Sequence, residues 1–119
     1  MNSMEKGEVI AMASDHAGFL LKGILLEDLR GLGNEVLDLG TDSLDSVDYP
    51  LFAQHVATTV SSRKAKWGVI LCGTGIGVSI AANRYPGVRA ALCHNLETAR
   101  LGRQHNNANV LALGARIID

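Results

Sequence analysis

Two kinds of apolar pattern take turns along this chain, and their alternation limits the fold more than any other feature. "VIAMAS" (9–14) is an unbroken apolar run with the length of a strand buried on both faces. "AGFLLKGILLEDLRGLG" (17–33) then puts apolar residues at 20, 21, 24, 25, 29 and 32, the spacing of one helical face, with Gly33 as C-terminal cap. "EVLDLG" (35–40) reads as a second strand, 41–48 as an acidic polar loop, and "YPLFAQHVATTVSS" (49–62) as a helix with Pro50 in its first turn. The third strand is "WGVILC" (67–72), followed by a glycine turn and a helix over "VSIAANR" (78–84). "GVRAALC" (87–93) is the fourth strand, "NLETARLGRQH" (95–105) a short helix with Asn95 as candidate N-cap, and "NVLALGARI" (109–117) the fifth strand. Strands alternating with helices over the whole length predict a mostly parallel five-stranded sheet covered on both faces, in one domain spanning 1–119. The pattern closes on strand five, so the helix that would cover it is expected from a partner subunit or to have been lost.

Hydrophobic residues make up 47% of the 119, enough for a core and too many for a disordered chain. A net charge of −1 argues against nucleic acid or an anionic membrane as partner, since such binders carry a basic excess. "RKAK" (63–66) is short and reads as a solvated turn. Cys72 and Cys93 sit inside apolar runs rather than in a disulfide framework, which points to a reducing compartment. "MNSMEKGE" has no apolar signal core, and no run of about 18 apolar residues occurs. The expectation is a cytoplasmic protein.

In open parallel sheets, ligands collect at the carboxyl ends of strands. "SDHAG" (14–18), "CGTGIG" (72–77), "RQHNNAN" (103–109) and "GAR" (114–116) are the polar or glycine-rich loops that could meet there. In "CGTGIG" the glycines let the backbone approach a ligand and turn N–H groups toward it, and the helix that follows adds its positive end. Such a loop suits a phosphate or a developing oxyanion. The dinucleotide fingerprint is spaced differently and follows the first strand, and a Walker loop would need a lysine after the glycines. A cysteine phosphatase loop would need arginine where Val78 stands. Thiols at helix N-termini ionise more readily than free ones, which makes Cys72 a candidate base or nucleophile. A buried structural cysteine is the competing reading, and Cys93, with no glycine nest, is assigned that role. His16, His55, His94 and His105 show no metal-ligand spacing, so no metal is expected. His16 and His105 have Asp15 and Asn106 beside them, which lifts them above ordinary surface histidines.

"SDHAG", "DYP" (48–50), "CGTGIG", "IAANR" (80–84), "GVRAAL" and "RQHNNANVLALGAR", in this order over 9–116, resemble the ribose-5-phosphate isomerase B family, which includes galactose- and allose-6-phosphate isomerases. The resemblance implies a three-layer α/β/α, Rossmann-like domain that interconverts an aldose and a ketose phosphate through a cis-enediolate. It implies no metal or organic cofactor. Cys72 would carry the proton between C2 and C1. Some relatives use a glutamate six positions further on, and Val78 there places this chain in the cysteine branch. The resemblance implies that His105 opens the furanose ring, that Asp15 assists and binds hydroxyls, and that Thr74 supplies a hydroxyl beside the cysteine. The backbone of Gly73, Gly75, Ile76 and Gly77 would hold the enediolate oxygen, Asn106 a sugar hydroxyl, and Tyr49 would line the site. His16 and Arg116 match phosphate-binding positions, which in relatives reach the site from the neighbouring subunit of a homodimer; a tetramer is a further possibility. Relatives also use arginines of a helix beyond strand five, which is expected to be absent here. The implied substrate is ribose 5-phosphate, in the pentose phosphate pathway. The alternatives are a hexose 6-phosphate, a non-catalytic phosphate- or nucleotide-binding module, or an inactive relative.

Overall fold

The computed structural model describes residues 7–42, 45 and 49–118, apart from the side chain of Tyr49. Five strands, β1 (Val9–Ser14), β2 (Glu35–Asp38), β3 (Trp67–Cys72), β4 (Ala90–Cys93) and β5 (Val110–Gly114), form one parallel sheet in the order β2-β1-β3-β5-β4. Four helices connect them: α1 (Phe19–Gly31), α2 (Tyr49–Ser61), α3 (Ile76–Ala82) and α4 (Leu96–Asn106). Right-handed crossovers put helices whose strands step one way on one face and those that step back on the other. Thus α2 and α3 cover Ala11, Ala13, Ile70 and Ala112, while α1 covers Ile10, Met12, Val36, Val69 and Leu71. This is the three-layer, Rossmann-like arrangement that the alternating pattern predicts. β3 is buried at every position, as a continuous apolar run at the centre of a parallel sheet should be. Ile10, Ile70 and Leu71 are essentially inaccessible to solvent, and burial of each contributes about 1.5–3 kcal/mol.

The elements differ from the sequence expectation in informative ways. The segment expected to be helical from 17 begins with a single 3-10 turn, His16–Gly18, and continues as α1 from Phe19. Its inward face is also rotated. Leu20, Ile24 and Leu32 are exposed, and Gly18, Lys22 and Leu26 are buried, with Leu21, Leu25 and Leu29 against the sheet. The helix start fits this orientation. A Cβ on Gly18 would stand 2.7 Å from the Cβ of Leu71, so the chain enters α1 pressed against β3. α3 begins at Ile76, inside the glycine loop, rather than at 78, because Gly75 at φ +80° turns the chain into the helix. It stops at Asn83, whose side chain takes over both the N–H and the carbonyl of Ala90 (2.8 and 3.0 Å). Asn95 caps α4 as expected, in a reciprocal box with Thr98. β2, β4 and β5 are shorter than expected, ending where loops leave the sheet. Among the described residues, no helix is long and apolar enough to cross a membrane.

Candidate active site

All five strands are parallel, so their carboxyl ends share one edge of the sheet, and the loops at that edge are tied together by backbone hydrogen bonds. The N–H of Asp15 donates to Leu71 O at 3.2 Å, joining the end of β1 to β3. The Asp15 carboxylate accepts from the N–H groups of Ala17 (2.9 Å) and Gly18 (3.2 Å), so it caps the short turn that carries His16. After β5, Ala115 N–H donates to Cys72 O (2.8 Å) and Arg116 N–H to Gly73 O (2.9 Å), which lays the Arg116 side chain over Gly73. This approach needs Gly114 to lack a side chain, because a Cβ there would collide with the backbone of Thr74.

Cys72 is the centre of this edge. It is 5% exposed, and its Sγ accepts the N–H of Gly75 at 3.1 Å. The first turn of α3 begins one residue later, at Ile76. Gly75 is held at a positive φ in space too tight for any side chain: a Cβ would meet Leu92 at 2.6 Å and the backbone of Leu113 at 2.9 Å. Thr74 is exposed, and its Oγ1 accepts Ile76 N–H at 3.2 Å. Of the loop amides expected to hold an oxyanion, those of Gly75 and Ile76 are therefore turned to Cys72 and Thr74. Val78 is buried in the core, consistent with its having no chemistry.

Two expectations need correction. His105 and Asn106 do not join Cys72 within one chain. α4 runs from the carboxyl end of β4 back to the start of β5, so its last residues lie at the opposite edge, beyond Val110, and the strand from Val110 to Gly114 alone spans about 13 Å. The loop 103–109 is thus not a carboxyl-end loop. Conversely, His16 and Arg116, expected from a neighbouring subunit, both lie at the Cys72 edge of the same chain. Tyr49 begins α2, and its side chain, like Asp48 of the same motif, lies outside the described residues.

The opposite edge has its own structure. A cavity of about 510 Å³ is lined by Asn83, Val88, Arg89, Ala90, Ala91, Asn106 and Ala108. The Nε of Arg89 donates to Asn106 O at 2.6 Å, a cation closing the carboxyl end of α4 beside His105. Nothing in the sequence places Arg89 beside Asn106, because residues 89 and 106 meet only through the β4–β5 pairing. A second cavity, of about 710 Å³, lies between α4 and the sheet near Trp67 and Leu111. Neither includes Cys72. Cys93 lines the second cavity, and burial pushes its thiol above the ordinary range, with a hydrogen bond from Thr98 offsetting part of the rise. Among the described residues, no three His, Cys, Asp or Glu side chains converge as a metal site.

Known proteins share this arrangement along nearly the whole chain. The family described as Ribose/Galactose Isomerase matches residues 10–119. Ribose-5-phosphate isomerase B of Escherichia coli K12 is 46% identical over 109 residues, covering 92% of this chain and 73% of that protein. The crystal structure of a ribose 5-phosphate isomerase from Thermotoga maritima superposes with a TM-score of 0.92 at 54% identity, covering 94% of this chain and 77% of that one. Ribose-5-phosphate isomerase B from Mycoplasma genitalium with bound ribulose-5-phosphate gives a TM-score of 0.92 at 45% identity, covering 97% and 77%. A glycine loop opening a helix directly after a central cysteine, in a sheet of this order and at these identities, makes the chain a member of the ribose/galactose isomerase family.

Proposed function

We propose that the chain is an aldose–ketose isomerase of the pentose phosphate pathway that interconverts ribose 5-phosphate and ribulose 5-phosphate, with Cys72 as the base. The observation that carries this reading is the hydrogen bond from Gly75 N–H to Cys72 Sγ in the glycine loop. The relatives named ribose-5-phosphate isomerase support the substrate, one of them with ribulose-5-phosphate bound. With the sugar open, the thiolate takes the hydrogen from C2. The electron pair of that bond forms C1=C2, and the carbonyl oxygen O1 becomes the enediolate oxygen, held by the amides of Gly73, Thr74 and Gly77. Return of the proton from Cys72 to C1, with the O2 proton passing to O1 as C2=O2 forms, gives the ketose. An oxyanion donor of this kind is typically worth about 3–4 kcal/mol of barrier. Asp15 would bind hydroxyls, and His16 and Arg116 would hold the phosphate. Tyr49 is assigned to the wall of the site.

Ring opening requires the acid–base group His105, with Asn106 on a sugar hydroxyl, and these come from a second copy of the chain. α3 favours this assembly. It starts at the Cys72 loop and ends at Asn83, which shares a cavity with Asn106, and it exposes Ile76 (51%) and Ile80 (57%) one turn apart. Two copies packed two-fold across α3, running antiparallel, would each bring the His105 edge to the other's Cys72 edge and bury those isoleucines. The test is solvent-deuterium incorporation at C2 of ribose 5-phosphate. Wild type should exchange, and Cys72→Ala, folded, should lose nearly all exchange; retained exchange in the variant would remove Cys72 from its role.

A further inference from the structure

One fully buried side chain of α1 is charged, and the isomerase chemistry does not use it. Lys22 is 1% exposed, the largest of the fully buried side chains. Its ammonium donates to Asp38 Oδ1 and to the Thr41 carbonyl, each at 2.6 Å, and lies 5.7 Å from the centre of the Phe19 ring. An ammonium removed from water at this depth is tolerated only with such partners, and an apolar residue on the same helical face would pack at least as stably. The stability of α1 therefore does not account for a lysine here. Its bonds do: both go to the segment that leaves β2.

That segment is attached to the site at once. Gly40 N–H donates to the same Asp38 oxygen at 3.1 Å. Gly40 O accepts the N–H of Ser14, and Thr41 N–H donates to Ser14 O, both at 2.7 Å. Ser14 is thus gripped on both backbone groups by the segment that Lys22 holds. The next residue is Asp15, whose carboxylate orders the turn carrying His16. Short hydrogen bonds run from the Lys22 ammonium to Thr41 and from Thr41 to Ser14, and the peptide chain carries Ser14 directly into the two loop residues assigned to substrate.

We propose that Lys22 is a positioning residue: its buried ammonium holds the Asp38–Thr41 segment so that Ser14 fixes Asp15 and His16 in their substrate-binding placement. The inference rests on the isomerase reading for its kinetic half only. The test is Lys22→Met, which keeps the length of the side chain and removes the charge, read by amide hydrogen exchange and by steady-state kinetics with ribose 5-phosphate. Exchange at Ser14 and Thr41 should accelerate while Ile70 and Ala112 in the central strands keep their protection. KM should rise about tenfold, with kcat within about threefold, because binding groups shift and the Cys72 base does not. Uniform acceleration in every strand, wild-type protection at Ser14 and Thr41, or a fall in kcat at unchanged KM would each overturn it. Should Lys22→Met fail to fold, Asp38→Asn, altered at a half-exposed partner, is read by the same measurements and must give the same pattern at smaller size. If wild type does not turn over ribose 5-phosphate, the isomerase reading fails by itself, and the exchange pattern still decides whether Lys22 holds Ser14.

Discussion

Arg116 lies over Gly73: its backbone N–H donates to the Gly73 carbonyl at 2.9 Å, and its Nη1 stands 3.4 Å from where a Cβ on Gly73 would be. The guanidinium is thereby placed at the mouth of the glycine loop by the backbone, with no ion pair to it among the described residues. Arg116→Met should raise KM for ribose 5-phosphate by about tenfold or more, with a smaller change in kcat, since a charge-assisted contact to a phosphate is worth about 1.5–3 kcal/mol. Initial-rate kinetics check it, and an unchanged KM removes Arg116 from the phosphate.

The separation of Cys72 from His105 leads to a complementation experiment. Cys72→Ala and His105→Ala should each be inactive alone. Unfolded together and refolded as a mixture, they should regain about a quarter of wild-type activity, because half of the dimers are mixed and each mixed dimer holds one intact site of two. No recovery from a mixture shown by native mass spectrometry to contain mixed dimers would place His105 outside the partner's site.

Gly75 combines a positive φ with contact on Leu92 and the end of β5. Gly75→Ala should lose isomerase activity by at least a hundredfold, because the N–H directed at Cys72 Sγ moves with the displaced backbone. The melting temperature should fall as well, the strain and overpacking together costing about 1–3 kcal/mol. Wild-type activity in this variant would mean that the sulfur contact is dispensable.

The two thiols should respond differently to alkylation. Burial raises the Cys93 thiol above its ordinary value, so at neutral pH it is held protonated and reacts slowly; raising the pH toward and beyond that value should speed it up. Cys72 should react with iodoacetamide at neutral pH in step with loss of activity, and ribose 5-phosphate should slow it. Peptide mapping identifies the labelled residue, and inactivation that tracks Cys93 instead would reverse the assignment.

The Asn95 side chain accepts Thr98 N–H at 2.8 Å and Thr98 Oγ1 returns to the backbone N–H of Asn95 at 3.4 Å. Asn95→Ala should cost about 1 kcal/mol of stability in urea unfolding, with kcat unaffected, since the cap lies at the far end of α4 from His105. A stability change near zero would mean that water caps the helix equally well.

Alternating periods along the chain determined the strands, the parallel sheet and one domain's worth of core, because burial on two faces demands an unbroken apolar run and burial on one demands a helical stripe. The ordered motifs determined the family, with Cys72 before its glycines. The rotation of α1 was not legible, because the apolar positions 20, 24 and 32 compete with 21, 25 and 29, and the choice depends on tertiary contacts such as the close approach of Gly18 to Leu71. Lys22 was hidden for the same reason: a lysine in a helix reads as solvated until Asp38 and Thr41 are known to stand opposite it. Which loops share an edge was decided by tertiary structure as well. "CGTGIG" runs from a strand into a helix and "RQHNNAN" from a helix into a strand, so in a parallel sheet the two lie at opposite edges; composition groups them and chain direction separates them. The proposed division of the site between two copies rests on that geometry.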